Sequence, residues 1–182
     1  HGEADQRSLA QRKRYSESSD VTTWTLELHF LGMNRPCFLH LDDQRQRIKS
    51  YKGKHAFGNY LQQGEMLWGS GLVLAAWMTL ESMKSPLHGM HVLELGSGLG
   101  TAGLVTAALG AEEVVLSDRS GPVFESLQRN VEVNHGDSVC KVRAVCLDWT
   151  KQSRGELEAR HFDAIIGSDI LYDSGLFPSL LR

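Results

Sequence analysis

A chain of 182 residues, 41% hydrophobic and 23% charged, has the length and apolar content of one globular domain, which excludes disordered, collagen-like and coiled-coil classes. Its 19 basic and 22 acidic residues leave a formal charge of −3, so no overall positive field draws it to nucleic acid or anionic lipid. The longest apolar run, residues 71–80, falls short of the roughly 18 residues a bilayer-spanning helix needs, so no membrane partner is expected.

Residues 1–20, HGEADQRSLAQRKRYSESSD, are charged, lack the apolar stretch of a secretory leader and show no periodicity; a flexible segment is expected there. Its basic cluster, Arg12, Lys13 and Arg14, is small, and nucleic acid is not an expected partner. The remainder, 21–182, reads as one domain and begins with VTTWTLELHFL and CFLHLDD, which alternate like two antiparallel strands, with a third short strand around 44–51. Arg45, Arg47, Lys49, Lys52 and Lys54 follow without an acid between them, a pattern typical of a solvated face and also suited to an acidic partner.

SGLVLAAWMTLESM, residues 70–83, spaces Leu72, Ala76, Leu80 and Met83 as in an amphipathic helix, with Ser70 as an N-cap and Pro86 beyond the end. From residue 90 the period switches repeatedly. HVLEL, EEVVLS, VRAVCL and FDAIIGS read as strands, TAGLVTAAL and PVFESLQRNVEVN as helices, and a last helix starts near Ser174. Strands alternating with helices imply a doubly wound α/β domain with a mostly parallel, Rossmann-like sheet and an N-terminal antiparallel β extension at 21–63. Since only 13 residues follow Asp169, further C-terminal strands are expected to be missing.

The sharpest local signal is VLELGSGLGTAGL, a strand running through Gly96, Ser97, Gly98 and Gly100 into a helix, the arrangement that brings bare N–H groups and a helix N-terminus to a nucleotide. Gly98, Gly100 and Gly103 also spell the dinucleotide pattern GxGxxG. Glu94 argues against that ligand, because a carboxylate beside the loop repels pyrophosphate and suits the ammonium and sulfonium of S-adenosylmethionine. Asp118, ending the next strand, can accept from a ribose in either cofactor. Asp148 and Trp149, after the third strand, can flank an adenine. The fourth strand ends in GSDILYD, presenting Ser168, Asp169 and Tyr172 at the edge where open α/β sheets bind ligands.

The eight histidines are scattered without ligand spacing, so no metal is expected, and Ser97 lies in GSG rather than in the GxSxG of a nucleophilic elbow. Cys37, Cys140 and Cys146 form no CxxC and leave one thiol unpaired in any scheme, which suits a reducing, cytoplasmic setting.

Together, ELGSGLG, the acidic end of the second strand, DW after the third and SDILY after the fourth resemble the seven-β-strand, class I protein methyltransferases of family 16, which act on lysine with some histidine-directed relatives. The resemblance spans 64–181 and takes in MLWGSGLVLAAWM, with Gly69 where many relatives carry Pro or Asp. It implies a cofactor-binding core at 64–182, S-adenosylmethionine as cofactor and S-adenosylhomocysteine as product. Trp68, Glu94, Gly96, Ser97, Gly98, Gly100, Asp118, Asp148, Trp149 and Ser168 would line the cofactor pocket, with Asp169 and Tyr172 as the catalytic DxxY pair. The expected function is methylation of a protein side chain, lysine Nε first, by a monomer in cytoplasm or nucleus. Alternatives are a small-molecule methyltransferase, a noncatalytic interaction module and a nicotinamide-dependent oxidoreductase.

Overall fold

Runs such as Val114–Val115–Leu116, apolar at consecutive positions, suit only strands covered on both faces. In the computed structural model, which describes residues 10–15, 23–29, 36–42, 67–82, 87–135, 140–151 and 157–181, these three side chains are fully buried in the sheet. Three strands, β1 (Ala10–Tyr15), β2 (Thr23–Leu28) and β3 (Cys37–Asp42), form an antiparallel sheet in that order. After helix α1 (Gly69–Ser82), strand β4 (His91–Leu95), helix α2 (Thr101–Ala108), strand β5 (Glu113–Asp118), helix α3 (Pro122–His135) and strands β6 (Lys141–Cys146) and β7 (Ala164–Ile166) build the core. A 3₁₀ turn at Ser174–Leu176 leads into the short α4 (Phe177–Leu180).

The second sheet runs β6-β5-β4-β7, and all three pairings are parallel. The α/β reading therefore holds, including the four parallel strands. Strand order steps one way from β4 to β6 and then returns to β7 on the other side of β4, so the crevice between β4 and β7 is the switch point where such sheets bind ligands.

One face of the sheet presents Val92, Val114 and Leu116 to Ala75 of α1, Leu104 and Val105 of α2, and Leu127 and Val131 of α3. Each fully buried aliphatic side chain of this kind contributes roughly 1.5–3 kcal/mol. Leu28 and Cys37 join that cluster, so the antiparallel sheet shares the core. Asn134 of α3 fixes the junction: its Oδ1 accepts from the Phe38 amide at 2.8 Å while its Nδ2 donates to the Phe38 carbonyl. The opposite face gathers Leu93, Val115 and Leu157, with Leu95, Val145, Leu147 and Phe162 packed around them.

Three sequence expectations need correcting. Residues 10–15, expected within a flexible segment, form β1, paired from Ala10↔Leu28 to Tyr15↔Thr23; a polar edge strand needs a backbone partner rather than an apolar face, and composition does not reveal one. Helix α1 begins at Gly69, so Ser70 lies inside its first turn and is not the cap. Strand β7 keeps only three of the residues read as FDAIIGS. The strand expected at 44–51 and the basic stretch 45–54 lie outside the described residues.

Candidate functional site

At the carboxyl ends of the parallel strands lies a cavity of about 790 Å³, the size of a small-molecule site. Its floor is the loop between β4 and α2. Gly96 turns there with φ +61°, and a Cβ at that position would come within 2.8 Å of Ile170 and 3.3 Å of the Trp149 ring. Both the conformation and the close approach therefore require glycine. The loop is pinned to β5: Ser97 N donates to Ser117 O at 2.9 Å, and Ser117 N donates to Ser97 Oγ at 3.0 Å. The Asn130 amide, fully buried on α3, donates to Leu99 O at 2.9 Å and braces the loop from below.

Two carboxylates shape the electrostatics. Glu94, 3% exposed, places Oε2 at 3.1 Å from the Gly103 amide in the first turn of α2. Its pKa is pushed up to about 8, chiefly by burial and further by the Asp118 charge, while hydrogen bonds from Ser97 and Gly103 oppose the rise. Asp118 closes the end of β5 over the loop, Oδ2 accepting from Gly98 N at 2.7 Å and Oδ1 from Arg119 N at 2.8 Å. Burial raises its pKa too, against those two amides and the Arg119 charge. Each carboxylate oxygen keeps a lone pair for a ligand. Among the described residues no basic side chain forms an ion pair with either group, so the cavity wall favours a ligand that brings its own positive charge.

Asp148 differs. Oδ1 accepts from the Thr150 hydroxyl at 2.6 Å and the Thr150 amide at 3.0 Å, and Lys151 Nζ lies 3.4 Å from Oδ2. The Thr150 hydroxyl leads in holding its carboxyl below the usual range, with burial opposing. Next to it the Trp149 indole lines the cavity with its Nε1 buried and, among the described residues, without an acceptor.

The mouth is formed where α1 meets the loop after β7. Trp68 and Ser168 line it with Asp169 and Tyr172, and Tyr172 is half exposed. Asp169 has φ +55°, the one non-glycine positive φ among the described residues, and its Oδ2 accepts from Ser70 Oγ at 2.7 Å.

Eleven of the twelve residues singled out from the sequence thus surround one cavity: Trp68, Glu94, Gly96, Ser97, Gly98, Asp118, Asp148, Trp149, Ser168, Asp169 and Tyr172. Gly100 does not. At φ +81° it turns the chain into α2, and a Cβ there would meet Leu127 at 2.8 Å and Leu116 at 3.0 Å, so its Cα faces the core. The sequence reading missed Arg119, Thr101, Thr150 and Ile170 in the wall; the first and third adjoin residues already chosen, and Ile170 lies between Asp169 and Tyr172. Gly103 was read as the third glycine of a nucleotide pattern, but a Cβ there would sit 2.6 Å from Glu94 Oε2, so its bareness makes room for that carboxylate.

The donor set and volume fit S-adenosylmethionine. The loop and Glu94 match its cationic amino-acid end, Asp118 can reach a ribose, and the Trp149 N–H, without an acceptor among the described residues, lies in the wall beside Asp148.

Comparison with known proteins agrees. The chain is 39% identical over 118 residues to Protein N-lysine methyltransferase METTL21A of Xenopus tropicalis, covering 64% of this chain and 52% of that one. It is 38% identical over 117 residues to the calmodulin-lysine N-methyltransferase of Arabidopsis thaliana, covering 63% and 38%. It is 30% identical over 122 residues to Histone-arginine methyltransferase METTL23 of Xenopus laevis, covering 66% and 50%. The chain thus spans about half, or less, of the length of these relatives. A lysine methyltransferase family model matches residues 54–182, in keeping with the motifs that carried the resemblance, and the chain belongs to that family.

Proposed function

We propose that the protein is an S-adenosylmethionine-dependent protein methyltransferase directed at lysine Nε. The observation that carries this reading is the convergence in one cavity of a glycine loop, two carboxylates of raised pKa, the Asp148–Trp149 pair and the Asp169–Tyr172 pair at the mouth. Names of relatives at 39% and 38% identity support lysine as the acceptor.

In this reading Gly96, Gly98 and Asp118 hold the adenosyl end, Glu94 faces the cationic end, and Trp149 covers the adenine. When bound, S-adenosylmethionine supplies an activated methyl group whose C–S bond breaks as the amine lone pair forms the new C–N bond, leaving a neutral thioether. The protein's share is alignment and exclusion of water, because in-line displacement needs a near-attack geometry. A lysine of ordinary pKa near 10.4 costs roughly 4.6 kcal/mol to neutralise at pH 7. Asp169 captures and aims the ammonium at the mouth, Tyr172 shapes the channel, and the proton leaves to water as the amine passes into the low-dielectric interior.

The test is transfer of labelled methyl from S-adenosylmethionine into cell extract, counting protein and metabolite fractions separately and hydrolysing the protein to amino acids. Methyllysine that disappears with Asp118→Ala is expected. Label only among metabolites establishes the small-molecule alternative, and none in either fraction despite cofactor binding leaves an inactive chain or a binding module. A second protein reading, arginine as acceptor, is favoured by the relative named for histone arginine, and methylarginine in the same hydrolysate would establish it.

A further inference from the structure

The mouth of the cavity holds one contact that neither the cofactor nor the glycine loop explains. Ser70 is not in the cavity wall, yet its hydroxyl reaches 99 residues along the chain to donate to Asp169 Oδ2 at 2.7 Å. The backbone around it is arranged for this meeting. At Gly71 helix α1 lies against the loop after β7: a Cβ there would stand 3.7 Å from Ser168 Oγ, an ordinary packing distance. Asp169 meanwhile holds φ +55°, a left-handed conformation that aspartate tolerates better than most residues but still at a cost, so its backbone direction is fixed rather than averaged. With Oδ2 held toward α1, Oδ1 is the oxygen left for an incoming group; among the described residues it has no partner.

Lysine and arginine ask different things of a carboxylate. An ammonium is a compact charge with three rotatable donors and is satisfied by a single oxygen. A guanidinium binds best as a fork, two parallel N–H···O bonds to both oxygens at once, which requires both to face it. We propose that Ser70 is a positioning and specificity-determining residue: by holding Asp169 Oδ2 toward α1 it leaves one oxygen at the mouth, which suits a single-point amine and disfavours a forked guanidinium. This rests on the methyltransferase reading above and names how that site selects its acceptor.

The experiment compares the full chain with Ser70→Ala and Ser70→Thr in the labelled-methyl assay on cell extract, with methyllysine and methylarginine separated after hydrolysis and S-adenosylhomocysteine affinity measured by calorimetry. Ser70→Ala is expected to lower methyllysine formation about 3- to 10-fold, the rate equivalent of one ordinary, solvent-exposed hydrogen bond, and to raise the methylarginine share. Ser70→Thr, which keeps the hydroxyl, is expected to restore both, and all three proteins to bind S-adenosylhomocysteine alike. Unchanged rate and unchanged lysine-to-arginine ratio in Ser70→Ala would overturn the proposal. So would a loss that follows cofactor affinity or that threonine does not rescue, since either marks a merely structural contact. Absence of label with the wild-type protein, despite cofactor binding, would instead overturn the methyltransferase reading and this inference with it.

Discussion

At the amino edge of the parallel sheet Glu113 sits between Arg143 and Arg160, the latter's Nη1 3.0 Å from each carboxylate oxygen. Burial alone would raise its pKa, but the two guanidiniums outweigh it and hold the carboxyl below the usual range. At the carboxyl edge Glu94 is buried more deeply, meets amides and hydroxyls in place of cations, and moves the other way. Both are glutamates, of strands β5 and β4, in one sheet. The amino edge supplies its own counter-charge and is complete. The carboxyl edge leaves its carboxylates to be neutralised by a proton or by a ligand's charge, which is what distinguishes a binding edge from a structural one.

The largest effect expected from this contrast concerns Glu94. Folded, it keeps its proton to about pH 8; unfolded, it releases it near 4.5. Between those values the native state binds more protons, so stability falls as the pH rises from 4.5 towards 8 and levels off above, a loss of the order of 5 kcal/mol. Asp118, also raised, adds a slope of the same sign. Glu94→Gln, which keeps an acceptor for the Gly103 amide, should flatten most of that slope in urea-denaturation midpoints taken from pH 5 to 9. It should also weaken S-adenosylmethionine binding about tenfold or more, because Gln has no proton to release and so cannot ionise against the ligand's cation as the glutamate can. A wild-type profile already flat over that range would break the comparison.

Next in size is Gly103→Ala. A Cβ there lies 2.6 Å from Glu94 Oε2 and 2.6 Å from Leu116 Cδ2, both packed in place, so the methyl overfills the core and displaces the carboxylate. A cost of about 2–3 kcal/mol is expected in denaturant unfolding. If a Glu94→Ala background, which removes the carboxylate, tolerates the same methyl equally badly, the clash is with Leu116 and the glycine does not serve the carboxylate.

Much of this was legible in the sequence because it is written in local patterns. The runs 91–95, 112–117 and 142–147 are strand-like by themselves, and a ligand edge follows from any parallel sheet whose strands end in Gly, Asp and Ser. What was not legible depends on partners far along the chain. Ser70 resembles a helix cap until Asp169, 99 residues away, is beside it. Gly100 looks like a ligand glycine until Leu127 of α3 is found against its Cα. Strand β1 is polar in sequence and exists through its pairing with β2. Arg143 and Arg160 carry no motif, and only the register of β5 with β6 and the loop before β7 brings them to Glu113.

Glu113→Gln tests the amino edge. Its lowered pKa means that the ionised form stabilises the fold above the ordinary value of 4.5, and that this contribution is lost as the pH falls through the folded value. Removing the charge leaves two guanidiniums crowded together and partly buried, at a cost of about 2 kcal/mol at pH 7 that shrinks towards pH 3.5. S-adenosylhomocysteine affinity should not change, since the cluster lies across the sheet from the cavity. Stability measured at both pH values checks the first point and calorimetry the second.

The smallest effect separates location from partnership. Asp148 lies on the carboxyl edge, like Glu94 and Asp118, yet its pKa is lowered, because Thr150 and Lys151 satisfy it and its side chain is 28% exposed. If the edge itself set the electrostatics, Asp148→Asn would relieve a strained charge and stabilise the fold at pH 7. If partners set it, the change swaps charge-assisted bonds for neutral ones in a solvent-screened turn and destabilises by about 0.5 kcal/mol. That deficit should shrink as the pH falls through the lowered folded value, the opposite trend to Glu94→Gln. Thermal unfolding of the variant at pH 7 and pH 3 decides it. A gain in stability at pH 7 would show that the sheet edge, rather than the neighbours of each carboxylate, raises the pKa of Glu94.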